Sequence, residues 1–440
     1  MSLIYKLTEI IEVCRKEHQD FLEDLEAEKN AVFKLRQLYG RPRPEENLLA
    51  WGDNLHFMKY LLEKGYGEKL QLIYADPPFF SKADYKAQVK IYADGGIQPL
   101  KLAQPAYTDT WSQGLEDYLR MLTSRLFLMR DLLAPEGCIW LHLDWHVVHY
   151  VKILMDEIFG MDNFVNEIIW QYKSGGSSKR HFARKHDTLL FYGKSPHYYF
   201  AAQQEKSYNR GLKPYRFKGV EEFEDDIGWH TLVNMKDVWQ LDMVGRTASE
   251  RTGYATQKPE LLLERILTSC SRKGDLCADF FGGSGTLAAT AHKLERRWVT
   301  CDTGKNAVAA ITKRLLQREA HFRVLQEQDR EEELGRVEFC LQRDENRCQV
   351  EISRYHLQEE AIQLFGEEDQ ALIRQVLRRD SLSLLDCWSV DFQYDGQVHR
   401  PQQVFLREKD SLKCQAEGPP GGRIHLCVTD VFGHVSSQTL

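Results

Sequence analysis

The feature that most constrains the fold is a short apolar run, Leu72–Ala75, which stops at Asp76-Pro77-Pro78-Phe79. The run is rich in residues that favour β-structure and predicts a buried strand. Two successive prolines offer no N–H group to a sheet and fix φ near −65°, so the strand must end there. The sequence therefore predicts a stiff loop at the carboxyl end of a strand. Such a loop presents a carboxylate, a proline carbonyl and an aromatic face, which suits a planar amine; an ordinary surface turn is the alternative.

A second strand-to-turn pattern is rich in glycine and reads Phe281-Gly282-Gly283-Ser284-Gly285-Thr286. Glycines let the backbone turn tightly and approach a ligand closely. Asp302 closes the next predicted strand about 20 residues further on, the placement that lets a carboxylate hydrogen-bond a ribose. The pattern indicates a nucleoside cofactor at the carboxyl edge of a sheet, with a packing turn as the alternative. It does not match the dinucleotide fingerprint Gly-x-Gly-x-x-Gly, and no P-loop lysine follows.

The order of elements predicts three regions. Strands alternate with helices across residues 48–320, which is typical of a parallel α/β sheet, so we assign residues 47–320 to one α/β domain. Residues 1–46 are predicted as a helical segment, with one long helix that continues to about residue 40 and packs on the chain's own core or on a second subunit. Residues 321–440 are predicted as a helical linker followed by a small antiparallel β-rich domain.

Two further segments carry specific expectations. Residues 81–110 have weak apolar periodicity and many polar residues, which predicts a mobile loop beside the first motif. The charged run Arg323–Gly335 is predicted to be helical. The chain shows no internal repeat of fixed period.

Composition excludes several classes of protein. The net charge of −7 argues against a uniformly basic nucleic-acid binder. The 10 cysteines form no Cys-x-x-Cys pair or zinc spacing, so a reduced cytoplasmic setting is expected rather than a disulfide framework. We expect no metal site, because the spacing of His142, His146 and His149 would rarely bring three ligands together. No run is long enough to span a bilayer, and the N-terminus lacks the apolar core of a signal peptide.

The charge is unevenly distributed. Between Gln171 and Lys218 there are 11 lysines and arginines against 2 acidic residues, with tyrosines and phenylalanines between them. Basic side chains that neutralise phosphates, interleaved with aromatics, are typical of a nucleic-acid interface; a solvated basic face is the alternative. The candidate nucleic-acid contacts are the first basic residues of this stretch: Lys173, Lys179, Arg180, Arg184 and Lys185.

The two motifs together are more specific than either alone. An Asp-Pro-Pro-Phe tetrapeptide upstream of Asp-x-Phe-x-Gly-x-Gly resembles the DNA amino-methyltransferases that use S-adenosylmethionine, and this order of motifs is similar to their β class. Several stretches in order agree with the resemblance, and the clearest are Trp51–Leu55, His142–Trp145, Asn163–Trp170, His186–Tyr192 and Arg251–Pro259. The resemblance covers roughly residues 48–320. It departs from the family pattern at Phe280, where a proline is usual, and at Phe79, where tyrosine or tryptophan is common.

The resemblance implies a Rossmann-like domain and a role for each motif residue. Phe79 would stack on the target base, while Asp76 and the Pro77 carbonyl would accept hydrogen bonds from its amine in a loop stiffened by Pro78. The implied cofactor contacts are Phe281, Gly283 and Gly285 beneath the cofactor, the neighbouring Ser284 and Thr286, Asp302 at the ribose, Asp279 at the amino-acid end, and Asp53 and Lys258 along the pocket.

The resemblance also implies substrate and partners. Asp at the first position of the tetrapeptide is usual for adenine, so the implied reaction is methylation of adenine N6 in double-stranded DNA. The alternatives are cytosine N4, an RNA or protein amide, or a relict domain that only binds nucleic acid. Residues 170–250 fall where the family carries its target-recognition region. A homodimer in a prokaryotic cytoplasm, with a separate restriction endonuclease as a possible partner, completes the expectation.

Overall fold

The computed structural model of the chain describes the ranges 3–25, 32–41, 47–82, 84–91, 100–109, 111, 114–173, 177–245, 247–328, 330, 334–408 and 411–440. Within these ranges, no helix combines the length and the apolar character needed to cross a membrane.

Helices and strands alternate through most of the chain. The helices are α1 (Leu3–Asp24), α2 (Asn54–Glu63), α3 (Leu115–Leu132), α4 (Val148–Phe159), α5 (Glu260–Cys270), α6 (Thr286–Lys293), α7 (Lys305–Leu316), α8 (Glu359–Ile362) and α9 (Glu367–Arg379). Short 3-10 turns lie at Met161–Asn163, Arg210–Leu212 and Ser381–Leu384. The strands up to the second motif are β1 (Phe33–Tyr39), β2 (Asn47–Trp51), β3 (Leu70–Ala75), β4 (Asp84–Ile91), β5 (Leu100–Thr108), β6 (Leu133–Leu143), β7 (Phe164–Gln171), β8 (His186–Gly193), β9 (Gln204–Tyr208), β10 (Phe223–Glu224), β11 (Trp229–Asn234) and β12 (Val238–Gln240). The later strands are β13 (Leu276–Asp279), β14 (Arg297–Asp302), β15 (Phe322–Glu327), β16 (Gly335–Arg343), β17 (Cys348–Leu357), β18 (Leu385–Asp391), β19 (Gln403–Leu406), β20 (Gln415–Gly418), β21 (His425–Asp430) and β22 (Val435–Thr439).

A ten-stranded, mostly parallel sheet forms the centre, in the order β1-β15-β2-β14-β13-β3-β6-β8-β7-β12. Its two faces are both covered. Along β3, Ile73 belongs to one hydrophobic cluster and its neighbours Leu72 and Tyr74 to the other. Helices α1 to α4 pack on the first face and α5 to α7 on the second. This arrangement confirms the predicted Rossmann-like α/β class, in which continuous apolar strands are buried on both sides.

The N-terminal prediction is only half right. Helix α1 ends at Asp24 and packs Leu7, Ile10 and Cys14 into the chain's own core, rather than continuing to residue 40. The segment Phe33–Tyr39 is strand β1 instead. The predicted helix over Arg323–Gly335 is also wrong, because that run begins in strand β15 and ends in strand β16, and residues 329 and 331–333 between them lie outside the described set.

The two errors have one cause. Strands β1 and β15 pair with each other antiparallel at the edge of the main sheet. Strand β1 lies at the edge and β15 lies between β1 and β2, so each pairs with a strand almost 300 positions away in the chain. Local sequence patterns do not contain such pairings. The sheet therefore extends beyond the predicted domain limits of 47 and 320.

Residues 81–110 are not simply a loop. Strands β4 and β5 form an antiparallel hairpin, while residues 92–99 lie outside the described residues. Val89, Ile91 and Leu102 of this hairpin are buried in one cluster with residues of the C-terminal region. The buried side of β5 carries the polar Gln104 as well as Leu102, which interrupts the apolar alternation by which a strand is predicted.

The C-terminal region contains the predicted antiparallel strands. One sheet has the order β16-β17-β20 and the other β19-β18-β21-β22. Helices α8 and α9 pack with them around a core that includes Trp388 and Phe432. In the basic stretch, only β9, β10 and β11 form a separate small sheet, whereas β7, β8 and β12 belong to the main sheet.

Candidate active site

Three neighbouring parallel strands end at one cavity. Strands β3, β13 and β14 are adjacent in the main sheet, so the loops after Ala75, Asp279 and Asp302 meet at its carboxyl edge. The cavity has a volume of about 450 Å³. Its walls are formed by Tyr74, Asp76, Pro78, Phe79, Trp111, Tyr254, Thr256, Lys258, Asp279, Phe281, Gly282, Gly283, Ser284, Thr286, Asp302 and Thr303. The two sequence motifs are thus brought together.

Asp76 lies at the centre of the first wall. Its Oδ2 accepts a hydrogen bond from Lys258 Nζ at 2.5 Å. Its Oδ1 is buried, lies 3.9 Å from His142 Nδ1 and has no hydrogen-bond partner in the described part of the chain. Phe79 stands beside it, with the Lys258 ammonium 5.1 Å from its ring centroid. Asp76 and Phe79 therefore share one wall of the cavity, and the enclosed Oδ1 is a carboxylate oxygen that a nearby N–H donor would stabilise.

A buried network supports this wall from behind. His142 Nε2 lies 3.2 Å from Asp187 Oδ2, and His142 Nδ1 lies 2.8 Å from the Tyr74 hydroxyl. Because an ionised carboxylate only accepts, Nε2 carries the proton, and in the neutral ring Nδ1 accepts from Tyr74. Tyr172 donates a second hydrogen bond to Asp187 at 3.0 Å. Burial, with Asp76 and Asp279 nearby, raises the pKa of Tyr74 well above its usual value, so the phenol stays a donor.

Asp187 shows the balance in this network. Burial acts to raise its pKa, but the hydrogen bonds from His142 and Tyr172 and the charge of Lys258 outweigh burial, and the net pKa is lowered. The sequence analysis did not single out Tyr74 or Asp187 as site residues. The available signal was positional, because both lie at ends of strands that border β6.

The glycine-rich turn forms the second wall. Gly283 has φ +49°, and its N–H donates to Asp302 Oδ2 at 2.8 Å. Gly285 has φ +72° and precedes α6, and a Cβ there would lie 2.9 Å from Ile311 Cγ1. Both conformations are costly for other residues. The turn thus brings backbone, rather than side chains, to the cavity.

Two carboxyl groups on this wall have raised pKa values. Burial raises the pKa of Asp279 to about 8; the charges of Asp76 and Asp302 add to this, while the Phe281 N–H and Lys258 oppose it. Burial also raises the pKa of Asp302 to about 6, against hydrogen bonds from the backbone N–H groups of Gly304, Gly283 and Thr303. A cationic ligand would favour the ionised form of both acids.

Arg314 braces the glycine-rich turn from the side of α7. Its Nη1 donates to the Ser284 carbonyl and to Thr286 Oγ1, both at 3.1 Å. Its Nη2 donates to Glu260 Oε1 at 2.6 Å, and Arg318 binds the same carboxylate. Arg314 and Glu260 are almost fully buried. No local sequence pattern indicates this contact, because the partners lie on separate helices.

Three predicted residues stand apart from the cavity walls. Pro77 and Gly285 belong to the two loops but are not among the residues that line it. Asp53 caps α2 by accepting from the Leu55 N–H at 2.7 Å, and Arg125 lies 3.1 Å from its carboxylate. The structure thus gives Asp53 two protein partners outside the walls, and its role toward a cofactor stays a prediction.

The candidate nucleic-acid contacts lie on an exposed loop between β7 and β8. Lys179 and Arg180 are exposed, and Lys173 is exposed with its Nζ 3.6 Å from Asp242. The Arg184 guanidinium lies 3.7 Å from the centre of the Trp145 ring, and Lys185 is partly buried. The loop leads directly into His186 and Asp187, and so joins the network behind Asp76.

The sequence comparisons agree with this site. Residues 70–313 match the N6/N4 family model described as "DNA methylase", more than half of the chain. The chain therefore belongs to the N6/N4 DNA methylase family, and its class is that of the DNA methyltransferases.

Individual relatives are similar over much of their length. The Type II methyltransferase M.EcaI of Enterobacter cloacae is 26% identical over 328 residues, which is 61% of this chain and 69% of the relative. The Type II methyltransferase M2.DpnII of Streptococcus pneumoniae is 27% identical over 276 residues, which is 61% of this chain and 89% of the relative.

Solved structures give weaker alignments. An M1.HpyAVI–SAM complex aligns with 61% of this chain and 98% of its own at 18% identity and a TM-score of 0.39. The cytosine-N4-specific PvuII DNA methyltransferase aligns with 64% of this chain and 88% of its own at 15% identity and a TM-score of 0.42. Likeness at this level carries no argument about function, and the family assignment rests on the sequence match.

Proposed function

We propose that this protein transfers a methyl group from S-adenosylmethionine to the N6 amine of adenine in double-stranded DNA. The observation that carries the proposal is that Asp76 and Phe79 share one wall of the cavity, and that the buried Oδ1 of Asp76 has no hydrogen-bond partner in the described residues. An exocyclic amine donates two N–H bonds, and its ring can stack on Phe79. Asp at this position is also what the resemblance associates with adenine rather than cytosine.

The residues of the second wall fit the proposed methyl donor. S-adenosylmethionine, when bound, supplies an electrophilic methyl group on a cationic sulfur. The glycine-rich turn offers backbone for close approach, and the buried Asp279 and Asp302 have raised pKa values that a cation would lower. Phe281 would lie beneath the nucleoside, with Asp302 at the ribose and Asp279 toward the amino-acid end.

The chain's own contribution is orientation and polarisation. The target base must leave the duplex, which costs about a few kcal/mol. Phe79 would stack on it, while Asp76 and the Pro77 carbonyl would accept from the amine and draw electron density onto the nitrogen. An aromatic amine is a poor nucleophile, so direct transfer depends on this alignment. The network from His142 to Asp187 holds the carboxylate side of the pocket in place.

Label transfer tests the proposal. Unmethylated genomic DNA would be incubated with methyl-labelled S-adenosylmethionine, and the digested nucleosides separated by chromatography. We expect label in N6-methyladenine with the wild type and with Asp20→Asn, an exposed change on α1, and none with Asp76→Ala. Label in N4-methylcytosine would establish the alternative base and overturn the adenine assignment.

The remaining outcomes separate the other readings. Label on RNA or on protein, but not on DNA, in parallel reactions would assign a different substrate. DNA binding without binding of S-adenosylmethionine would identify a relict domain. Among these readings, the family match and the intact Asp76 and Phe79 favour a DNA methyltransferase.

We also propose that the loop between β7 and β8 contacts DNA phosphates. Exchange of Lys179 and Arg180 for glutamine removes two exposed cations beside the site. The slope of log Kd against the logarithm of the salt concentration should therefore fall by about 1.8. Lys273→Gln, which removes an exposed lysine paired with Glu295, is the matched control and should leave the slope unchanged. An unchanged slope in the double variant would place DNA elsewhere.

The assembly is a further part of the proposal. A homodimer and a separate restriction endonuclease are both expected from the resemblance. Helix α1 uses one face for the chain's own core and leaves Tyr5 and Leu22 exposed on its remaining surface. Light scattering of the purified protein tests the homodimer, and the mass of a monomer would overturn it.

A further inference from the structure

Asp109 occupies an unusual position outside the two motifs. It is fully buried and lies directly after strand β5, at the end of the β4–β5 hairpin. Its Oδ1 accepts from the Phe80 N–H at 3.1 Å and from Trp111 Nε1 at 3.2 Å. Its Oδ2 accepts from the Ser81 N–H at 2.6 Å and the Ser81 hydroxyl at 2.8 Å. Four donors thus converge on one carboxylate, which has about four lone-pair positions to offer.

These donors lie in or next to the wall of the cavity. Phe80 and Ser81 follow Phe79 directly, and Trp111 itself lines the cavity. Phe80 has φ +59°, a left-handed conformation that a phenylalanine rarely adopts without support. The rings of Phe80 and Trp111 both pack on the buried Tyr118. Asp109 therefore fixes the backbone that follows Phe79, at the end of the tetrapeptide that is not attached to β3. It also holds the Trp111 side chain in place beside that backbone.

The hairpin connects this carboxylate to the C-terminal region. Val89, Ile91 and Leu102 are buried in one cluster with side chains of that region. Gln104 is also buried, and its Nε2 donates to the Phe432 carbonyl at 3.0 Å. The strand that ends at Asp109 is thus anchored on the C-terminal β-rich region rather than on the main sheet.

We propose that Asp109 is a positioning residue for the catalytic loop, and that the C-terminal region holds it in place through the β4–β5 hairpin. Loss of the carboxylate frees the backbone amides of Phe80, which has a left-handed φ, and of Ser81. Phe79 and Trp111 then lose their fixed orientation, while the glycine-rich turn, which is attached to β13, is unaffected. The kinetic part of this inference rests on the proposed methyl transfer.

We call the four hydrogen bonds that Asp109 accepts the clamp. Hydrogen exchange tests the clamp without any assay of activity. In Asp109→Asn, amide exchange in a peptide covering residues 77–82 should rise at least about tenfold, because an amide group replaces one acceptor with a donor. Exchange over residues 281–286 should stay at the wild-type rate. Asp395→Asn is the matched control, because Asp395 also accepts two backbone N–H bonds but lies in an exposed turn of the C-terminal region. Unchanged exchange over 77–82 would overturn the proposal.

The kinetic readout distinguishes positioning from general damage. Asp109→Asn should lower kcat by about 10- to 100-fold, while Kd for S-adenosylmethionine stays within about twofold. A parallel loss of cofactor affinity would assign a merely structural role. If the Asp109 variant does not fold, Ser81→Ala combined with Trp111→Phe deletes two of the four donors and should raise the same exchange rates. If the wild type transfers no methyl group, the proposed function fails, and the exchange measurement still decides the clamp.

A double-mutant cycle tests the C-terminal contribution. Gln104→Leu removes the hydrogen bond to Phe432 at similar volume and should lower kcat through the same loop. Its effect should be much smaller in the Asp109→Asn background, because the clamp through which it acts is already lost. Additive effects on kcat would show that the C-terminal region does not act through Asp109.

Discussion

The affinity for S-adenosylmethionine should rise steeply with pH between 6.0 and 7.5, and the reason is Asp279. Burial raises the pKa of this carboxyl to about 8, with Asp76 and Asp302 adding negative charge nearby. At neutral pH most Asp279 side chains in the free protein are therefore protonated. A cationic methyl donor favours the ionised form, so its binding releases a proton and is stronger where the acid is already ionised.

The magnitude follows from the fraction of Asp279 that is ionised. With a pKa of about 8, that fraction is about 1% at pH 6.0 and about 25% at pH 7.5. If only the ionised form binds, Kd should fall by about 25-fold over this range, equivalent to about 2 kcal/mol. Asp302, with a pKa of about 6, adds at most about a further twofold at the acidic end. The range stops at pH 7.5 because the amino group of the ligand begins to lose its own charge near 8.

Calorimetry measures both consequences. Titrations in two buffers of different ionisation enthalpy should show release of nearly one proton per ligand at pH 6.5. Asp279→Asn keeps the shape of the side chain but cannot ionise, so its weaker Kd should vary little with pH. A wild-type Kd that stays constant within about twofold from pH 6.0 to 7.5 would refute the reasoning, and so would a slope that survives in the asparagine variant.

Three substitutions test other parts of the site. Arg314→Met should lower the free energy of unfolding by about 3 kcal/mol, because it leaves Glu260 buried with one partner fewer. Denaturant titration measures this change, and a loss below about 1 kcal/mol would contradict the stabilising role of Arg314. Lys258→Met should lower kcat by about tenfold or more, because the ammonium fixes Asp76 Oδ2, and Lys258→Arg should restore part of it; equal kcat values in steady-state assays would remove Lys258 from the mechanism. Because Gly285 has φ +72°, Gly285→Ala should lower the free energy of unfolding by about 1–2 kcal/mol and weaken binding of S-adenosylmethionine. Thermal unfolding with and without the ligand measures both effects.

In the protein without ligand, the raised pKa of Asp279 also sets the direction in which the free energy of unfolding changes with pH. The folded-state pKa of Asp279 lies above the ordinary value of 3.8, so folding takes up a proton between about pH 4 and 8. Ionisation of this carboxyl therefore lowers the free energy of unfolding as pH rises from about 4 to 8. Asp279→Asn should remove this contribution to the dependence of the unfolding free energy on pH.

The site was predictable where its residues follow strands. Asp76 and the turn at Gly283 are separated by about 200 positions, yet each comes directly after an apolar run. Carboxyl ends of adjacent parallel strands meet at one edge, so strand pattern and topology together placed them in one cavity. The same argument did not reach Asp53, whose carboxylate is held by a helix N-terminus and Arg125.

The fold was less predictable where elements are stabilised by distant partners. Strand β15 pairs with β1 on one side and with β2 on the other, and the residues of β1 pair with residues almost 300 positions away. The β4–β5 hairpin gains its buried side only from the C-terminal region. In all three segments the deciding interactions are non-local, so no window of sequence contains them.

The position of the hairpin in the chain gives the C-terminal region access to the chemistry. The hairpin is inserted between the tetrapeptide, which ends at Phe79, and helix α3, which begins at Leu115. Any element that orders this insertion also limits the freedom of both its ends, and those ends carry the Phe80 amide and Trp111. Among the described residues, the C-terminal strands contribute none to the cavity walls, yet Val89, Ile91 and Leu102 of the insertion are buried in one cluster with them. A region without motifs of its own can therefore influence catalysis through one carboxylate, Asp109, and this is why its role is visible in the contacts and not in the sequence.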